Sequence, residues 1–278
     1  MSVGLVPTMG SLHEGHLSLV RRAAAECDRS VVSIFVNPAQ FGAGEDFERY
    51  PRRVEADIAL VASLGTDAVY IPTVRDVYPS GFATRVSVEG PLTTRLEGGH
   101  RPGHFDGVAV VVSKLFVAAQ PDRAYFGRKD AQQCEVVRRV AADLDTGVEV
   151  VECPTVRDHD GLALSSRNDY LDREQRARAR AIPAGLERVA RMFAGGERRA
   201  TPLRDALIAE LLTAAIEPDY VAVVDPVDFS DVDEVDVGSE ILVAAKIGTT
   251  RLIDQMRLGI DAAPVVVGAP GAPCSGSF

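Results

Sequence analysis

The chain has 278 residues, 46% of them hydrophobic and 25% charged, with a formal net charge of −10. That is ordinary globular composition, long enough for one large domain or two smaller ones. The acidic balance argues against a general nucleic-acid binder or a membrane-surface protein. No apolar run approaches ~18 residues, so neither a membrane span nor a signal peptide is expected, and a cytoplasmic location is the default.

Residues 3–6 are a short apolar run that reads as a buried strand. Behind it stands Pro7-Thr8-Met9-Gly10-Ser11-Leu12-His13-Glu14-Gly15-His16. Ser11 and Glu14 form an S-x-x-E capping box, which predicts a helix from near Leu12. His13 and His16, three apart, then share a face at the positive end of that helix, a place for an anion such as phosphate. The plainer alternative is that these histidines only decorate a helix end. Leu17, Val20, Ala23 and Cys27 give the helix its apolar side. Residues 31–36 are nearly continuous and β-branched, as in a strand covered on both faces. A second helix is expected over 51–64 and a third strand over 68–71. This β-α-β-α-β alternation predicts a doubly wound α/β sheet.

Residues 72–102 are irregular, with a short strand expected over 85–88. A buried helix is expected over 103–119, a strand over 123–126, an amphipathic helix over 130–144 and a strand over 148–153. A polar loop at 157–168 leads into a charged helix over 172–193. A further helix over 202–215 is followed by strands at 220–224, 241–245 and 251–256 with no helix between them. That change marks a smaller C-terminal α+β domain. The domains are placed at 1–168 and 169–261, with a disordered tail at 262–278. Cys27, Cys134 and Cys153 are scattered through apolar segments and read as reduced core residues.

Ligands of open α/β sheets bind beyond the carboxyl ends of the strands. Four polar stretches fall after strands: the histidine motif, 37–41, 127–133 and 164–168. Lys129, one of only three lysines, can place a positive charge near phosphate. Asp130 suits a ribose hydroxyl, a magnesium ion or a helix cap. Ser165, Ser166 and Arg167 offer two hydroxyls and a guanidinium fork, although alone such a run reads better as a solvated loop. Gln40 and Gln133 can each donate and accept, as a hydroxy acid requires. His104 is read as structural, His159 as solvated, and Asp57 as a solvent-facing charge rather than a magnesium ligand.

The motifs PTMGSLHEGH, SIFVNPAQF, RPGHFDGV, FGRKDAQQ, DGLALSSRN and ILVAAKIGTTRLID, in this order along the chain, resemble those of the pantoate–β-alanine ligase family within the H-x-G-H nucleotidyltransferases. The resemblance implies a Rossmann-type ATP domain with a smaller C-terminal domain that closes over it, and a homodimer. It implies an enzyme that condenses pantoate with β-alanine. Pantoate is adenylated by ATP carrying Mg2+, releasing pyrophosphate, and the β-alanine amine then displaces AMP. Carried over by position, the ATP-binding residues are Met9, Gly10, Ser11, Leu12, His13, Glu14, Gly15, His16, Gly127, Arg128, Lys129, Asp130, Val156, Leu164, Ser165, Ser166 and Arg167. Gln40 and Gln133 would hold pantoate, with Gln40 also serving β-alanine, and His13, His16 and Lys129 would be catalytic. No metal ligands are assigned among the protein's side chains. The sequence departs from the family pattern at Arg128, where glutamate is usual, at Ala131, where an aromatic is common, and in having no counterpart of the helix usual before the first strand. Other readings are a non-catalytic nucleotide-binding homologue and another H-x-G-H nucleotidyltransferase.

Overall fold

The computed structural model describes residues 1–264. Five parallel strands form the larger sheet: β1 (Val3–Thr8), β2 (Arg29–Ile34), β3 (Ala68–Tyr70), β4 (Arg123–Gly127) and β5 (Glu149–Cys153). Helix α1 (Glu14–Glu26) joins β1 to β2, and α2 (Val54–Ser63) joins β2 to β3. Three single turns, α3 (Val74–Val77), α4 (Pro91–Thr94) and α5 (Glu97–His100), precede the buried α6 (His104–Ala119), which feeds β4. Helix α7 (Ala131–Asp143) joins β4 to β5. The strand order is β3-β2-β1-β4-β5. The chain therefore winds outward from β1, returns, and continues on its other side. The switch point lies between β1 and β4, where such sheets open a crevice.

The near-continuous apolar strands are explained by burial on both faces. Successive side chains point to opposite sides of a strand. Leu5, Ala124 and Phe126 pack with Val108, Val111 and Phe116 of α6 and Val137 of α7. Val6, Val32, Tyr125 and Val151 pack with Leu19 and Val20 of α1 and Val61 of α2. Each such Leu or Val contributes roughly 1.5–3 kcal/mol through burial.

Two compact units divide the described residues: 1–155 with 227–230, and 156–226 with 231–264. The division falls ahead of the expected 168/169 boundary. A physical reason is visible in the second unit, where Arg157 forks onto both oxygens of the buried Asp254 at 2.6 and 2.9 Å. This ties the 157–168 loop to the C-terminal sheet. The second unit carries α8 (Arg173–Ala179), α9 (Ala181–Ala194), α10 (Ala200–Thr213) and the antiparallel strands β6 (Pro218–Val224), β7 (Glu240–Ile247) and β8 (Thr250–Arg257). Leu186, Leu203, Leu207, Ile241 and Val243 lie in its core.

Several elements differ from their sequence reading. Helix α1 starts at Glu14 with His13 as N-cap, not near Leu12 with Ser11 capping; Ser11 instead has a φ of 51°. Helix α2 starts at Val54, beyond Pro51. The 172–193 helix breaks at Arg180, because Pro183, the third residue of α9, has no N–H to bond the Ala179 carbonyl. Residues 85–88 form no strand. Cys27, Cys134 and Cys153 are free thiols. Of the tail expected to be disordered, residues 265–278 lie outside the described residues.

Candidate active site

At the carboxyl end of β1 the chain turns sharply. Gly10 has a φ of 82°, a conformation that favours glycine, and the left-handed Ser11 follows it. The turn is held from two sides. The Thr8 hydroxyl donates to the Ser33 carbonyl at 2.8 Å and accepts from the Gly10 N–H at 3.2 Å. The Ser11 and Leu12 N–H groups donate to the two oxygens of Asp57 at 2.7 and 2.8 Å. Asp57 is 2% exposed, so its reading as a solvent-facing charge is corrected.

The turn delivers both histidines to the start of α1. Their ring centroids lie 4.1 Å apart. The His13 N–H donates to Nδ1 of His16 at 3.3 Å. With Nδ1 accepting, the neutral ring carries its hydrogen on Nε2, which is left to donate. Desolvation, reinforced by the charges of His13 and Lys129, pushes the His16 pKa down to about 3. His16 is therefore neutral at pH 7 in the free protein. Glu14, exposed in the first turn, pairs with Arg21.

The pairing of β4 beside β1 sets the loop after β4 near the loop after β1, and the Lys129 charge is felt at His16. Lys129 sits in a single 3₁₀ turn, Arg128–Asp130, between β4 and α7. Its side chain is 19% exposed, with Nζ 3.9 Å from Asp130. Asp130 occupies the N-cap position of α7 without making a side-chain cap bond. Arg128 is buried, as is Ala131 beside this turn. Gln133 lies on the first turn of α7, half-buried.

The loop after β2 joins the same end of the sheet. Gln40 closes a 3₁₀ turn, Pro38–Gln40, and is 9% exposed. Its amide nitrogen donates to the Met9 sulfur at 3.2 Å and its amide oxygen accepts from Asn37 at 3.0 Å. Asn37 also donates to the Gly107 carbonyl and accepts from the Tyr78 hydroxyl. The Gln40 carbonyl contacts Nδ1 of His104 at 2.8 Å and accepts from Arg101 at 3.1 Å. His104 is thus structural, as expected, and braces the 38–40 turn. Burial and the Arg101 charge hold its pKa down at about 4. Arg101 and Asp57 carry no local sequence signal as supports, because each acts across a long separation in the chain, whereas Asn37 also bonds Gln40 three residues on.

Val156 and residues 164–167 belong to the second unit. There the Leu164 N–H donates to the Val156 carbonyl at 2.9 Å, so these two expected site residues are neighbours. Ser165 caps a 3₁₀ turn, Ser166–Tyr170, by accepting from the Arg167 N–H at 3.3 Å. Ser166 is buried. His159 is exposed and contacts Asp158.

Among the described residues, no group of three or more His, Cys, Asp or Glu side chains is gathered for a metal ion. No helix among them is long and apolar enough to cross a membrane.

Comparison with known proteins agrees along nearly the whole chain. The family model described as pantoate-beta-alanine ligase matches residues 1–257. The pantothenate synthetase of Acidobacterium capsulatum is 53% identical over 261 residues, 93% of this chain and 86% of its own. That of Pelotomaculum thermopropionicum is 50% identical over 262 residues, 93% of this chain and 92% of its own. Among solved structures, pantothenate synthetase from Thermus thermophilus superposes with a TM-score of 0.90 at 48% identity, covering 92% of this chain and 93% of that one. A Francisella tularensis pantoate-beta-alanine ligase, described as complexed with beta-gamma ATP and beta-alanine, superposes with a TM-score of 0.76 at 32% identity, covering 92% and 89%.

Proposed function

From the premise that this chain belongs to the pantoate–β-alanine ligase family, we propose that it makes pantothenate through a pantoyl-adenylate intermediate. The observation that carries this reading is the meeting of His13, His16 and Lys129 at the β1–β4 switch point. Three nitrogen-bearing side chains and a helix N-terminus there suit a triphosphate.

In the first step a pantoate carboxylate oxygen bonds to the α-phosphorus of ATP. The bond from that phosphorus to the bridging oxygen breaks, and pyrophosphate leaves with the electron pair. Charge grows on the phosphate oxygens, and the protein's part is to position and stabilise it. Lys129 supplies a fixed positive charge. His16, neutral with Nε2–H free, supplies a hydrogen bond without needing to give up its proton. In the second step the neutral amine of β-alanine attacks the acyl carbon, AMP departs, and the amine loses a proton. Gln40 and Gln133 are assigned to the pantoate hydroxyl and carboxylate, with Gln40 also near β-alanine.

The ATP-binding set is assigned as residues 9–16, residues 127–130, Val156 and residues 164–167, the second-unit members resting on the family resemblance alone. Mg2+, when bound, offsets phosphate charge. Asp130, beside Lys129, is the carboxylate that would be available to such an ion. A homodimer and a cytoplasmic location are part of the same reading.

Pyrophosphate exchange tests the intermediate. With pantoate present and β-alanine absent, labelled pyrophosphate should appear in ATP. No exchange by folded protein would rule the adenylate out.

A further inference from the structure

We propose that Asp57 is a positioning residue for nucleotide binding, holding the 9–13 turn in the shape that presents His13 and His16. The inference rests on the reading that this turn binds ATP. Asp57 is on the first turn of α2, far in sequence from the turn it supports. Each carboxylate oxygen accepts one consecutive backbone N–H, Ser11 at 2.7 Å and Leu12 at 2.8 Å. Two adjacent N–H groups aimed at one anion form the kind of concavity that elsewhere binds phosphate. Here the protein's own carboxylate fills it.

Two features show that the turn is shaped around this carboxylate, and a third links the turn to the histidines. Ser11 is left-handed with a φ of 51°, a conformation that non-glycine residues keep only when their surroundings impose it. A Cβ on Gly10 would lie 3.0 Å from an Asp57 oxygen and 3.1 Å from Ile34, so the backbone rests against the carboxylate. Finally, the His13 N–H is engaged by the His16 ring. His13 is the next residue after the pinned Leu12, so a shift of residues 11 and 12 is carried to the His13 N–H and to the ring that accepts from it. Asp57 also lines a cavity of about 240 Å3 with Met9 and Gly10 of the turn and with Arg52, Arg53 and Thr73.

A helix-stabilising role alone would also favour an acidic residue in the first turn of α2. The two roles separate in kinetics. The test uses the full-length chain with Asp57→Asn, Asp57→Glu and, as a control on the same helix turn, the exposed Glu55→Gln. In pantoate-dependent pyrophosphate exchange, Asp57→Asn should raise KM for ATP at least tenfold and leave KM for pantoate within twofold. Asp57→Glu, which keeps the charge, should recover part of the loss, and Glu55→Gln should match the unaltered protein. Amide hydrogen exchange at Ser11 and Leu12 should be slow in the unaltered protein and accelerate in Asp57→Asn. That readout is independent of activity. If the unaltered protein shows no exchange of pyrophosphate, the functional reading fails while the amide measurement still tests the strut. Wild-type KM for ATP in folded Asp57→Asn, or unprotected Ser11 and Leu12 amides in the unaltered protein, would overturn the proposal.

Discussion

Two side chains offer tests at the scale of single residues. Lys129 is the cation whose charge reaches His16. Lys129→Ala should lower the rate of adenylate formation by about 10²–10³, the usual effect of removing one transition-state contact, with an unchanged circular dichroism spectrum. Near-normal turnover would remove Lys129 from the chemistry. His104 offers a test through stability. Its pKa is lowered by folding, from the ordinary histidine value of 6.5 to about 4. The unfolded chain therefore binds the extra proton first. Stability from this group is full above the unfolded value and is lost as pH falls through the window from 6.5 to about 4. Between pH 7 and 5 the loss should be about 2 kcal/mol. Urea unfolding at both pH values should show the pH dependence flatten by that amount in His104→Gln. His13, His16 and Lys129 are legible in the sequence because each lies in a contiguous motif. Asp57 is not. Its partners are 45 and 46 residues away, and nothing local distinguishes it from a surface carboxylate.

Among the elements, α6 and the 38–40 turn set the position of Gln40, the residue proposed to hold pantoate. Gly107 of α6 lies directly under that turn: a Cβ there would stand 2.2 Å from the Ala39 carbonyl oxygen. Backbone cannot yield as a flexible side chain would, so Gly107→Ala must move the turn or the helix. The expected outcome is destabilisation of about 1–3 kcal/mol and a KM for pantoate raised at least tenfold, through displacement of Gln40. A KM at the wild-type level would show that Gln40 is placed by other contacts. The helices and strands themselves are mostly readable from apolar periodicity. Their ends are less so. Ser11 reads as a cap because S-x-x-E is a local pattern, but its N–H is claimed by Asp57 and the cap passes to His13. The break at Arg180 is hidden because a charged, periodic run continues through it, while Pro183 acts on a carbonyl four residues back.

For the molecule as a whole, alternation of strands and helices is enough to imply a doubly wound sheet, and the loss of intervening helices after residue 218 marks a different architecture. Strand order is not written locally. That β4 returns beside β1 follows from Gly4 and Leu5 pairing with Arg123 and Ala124, a contact between distant segments. It is this return that puts the Lys129 loop next to the histidine loop. The family match spans residues 1–257, and the reaction is the claim that remains to be measured. Purified protein supplied with ATP, Mg2+, pantoate and β-alanine should form pantothenate, AMP and pyrophosphate in equal amounts, with each product dependent on pantoate. Formation of ADP and phosphate instead, or no pantothenate from folded protein, would contradict the account.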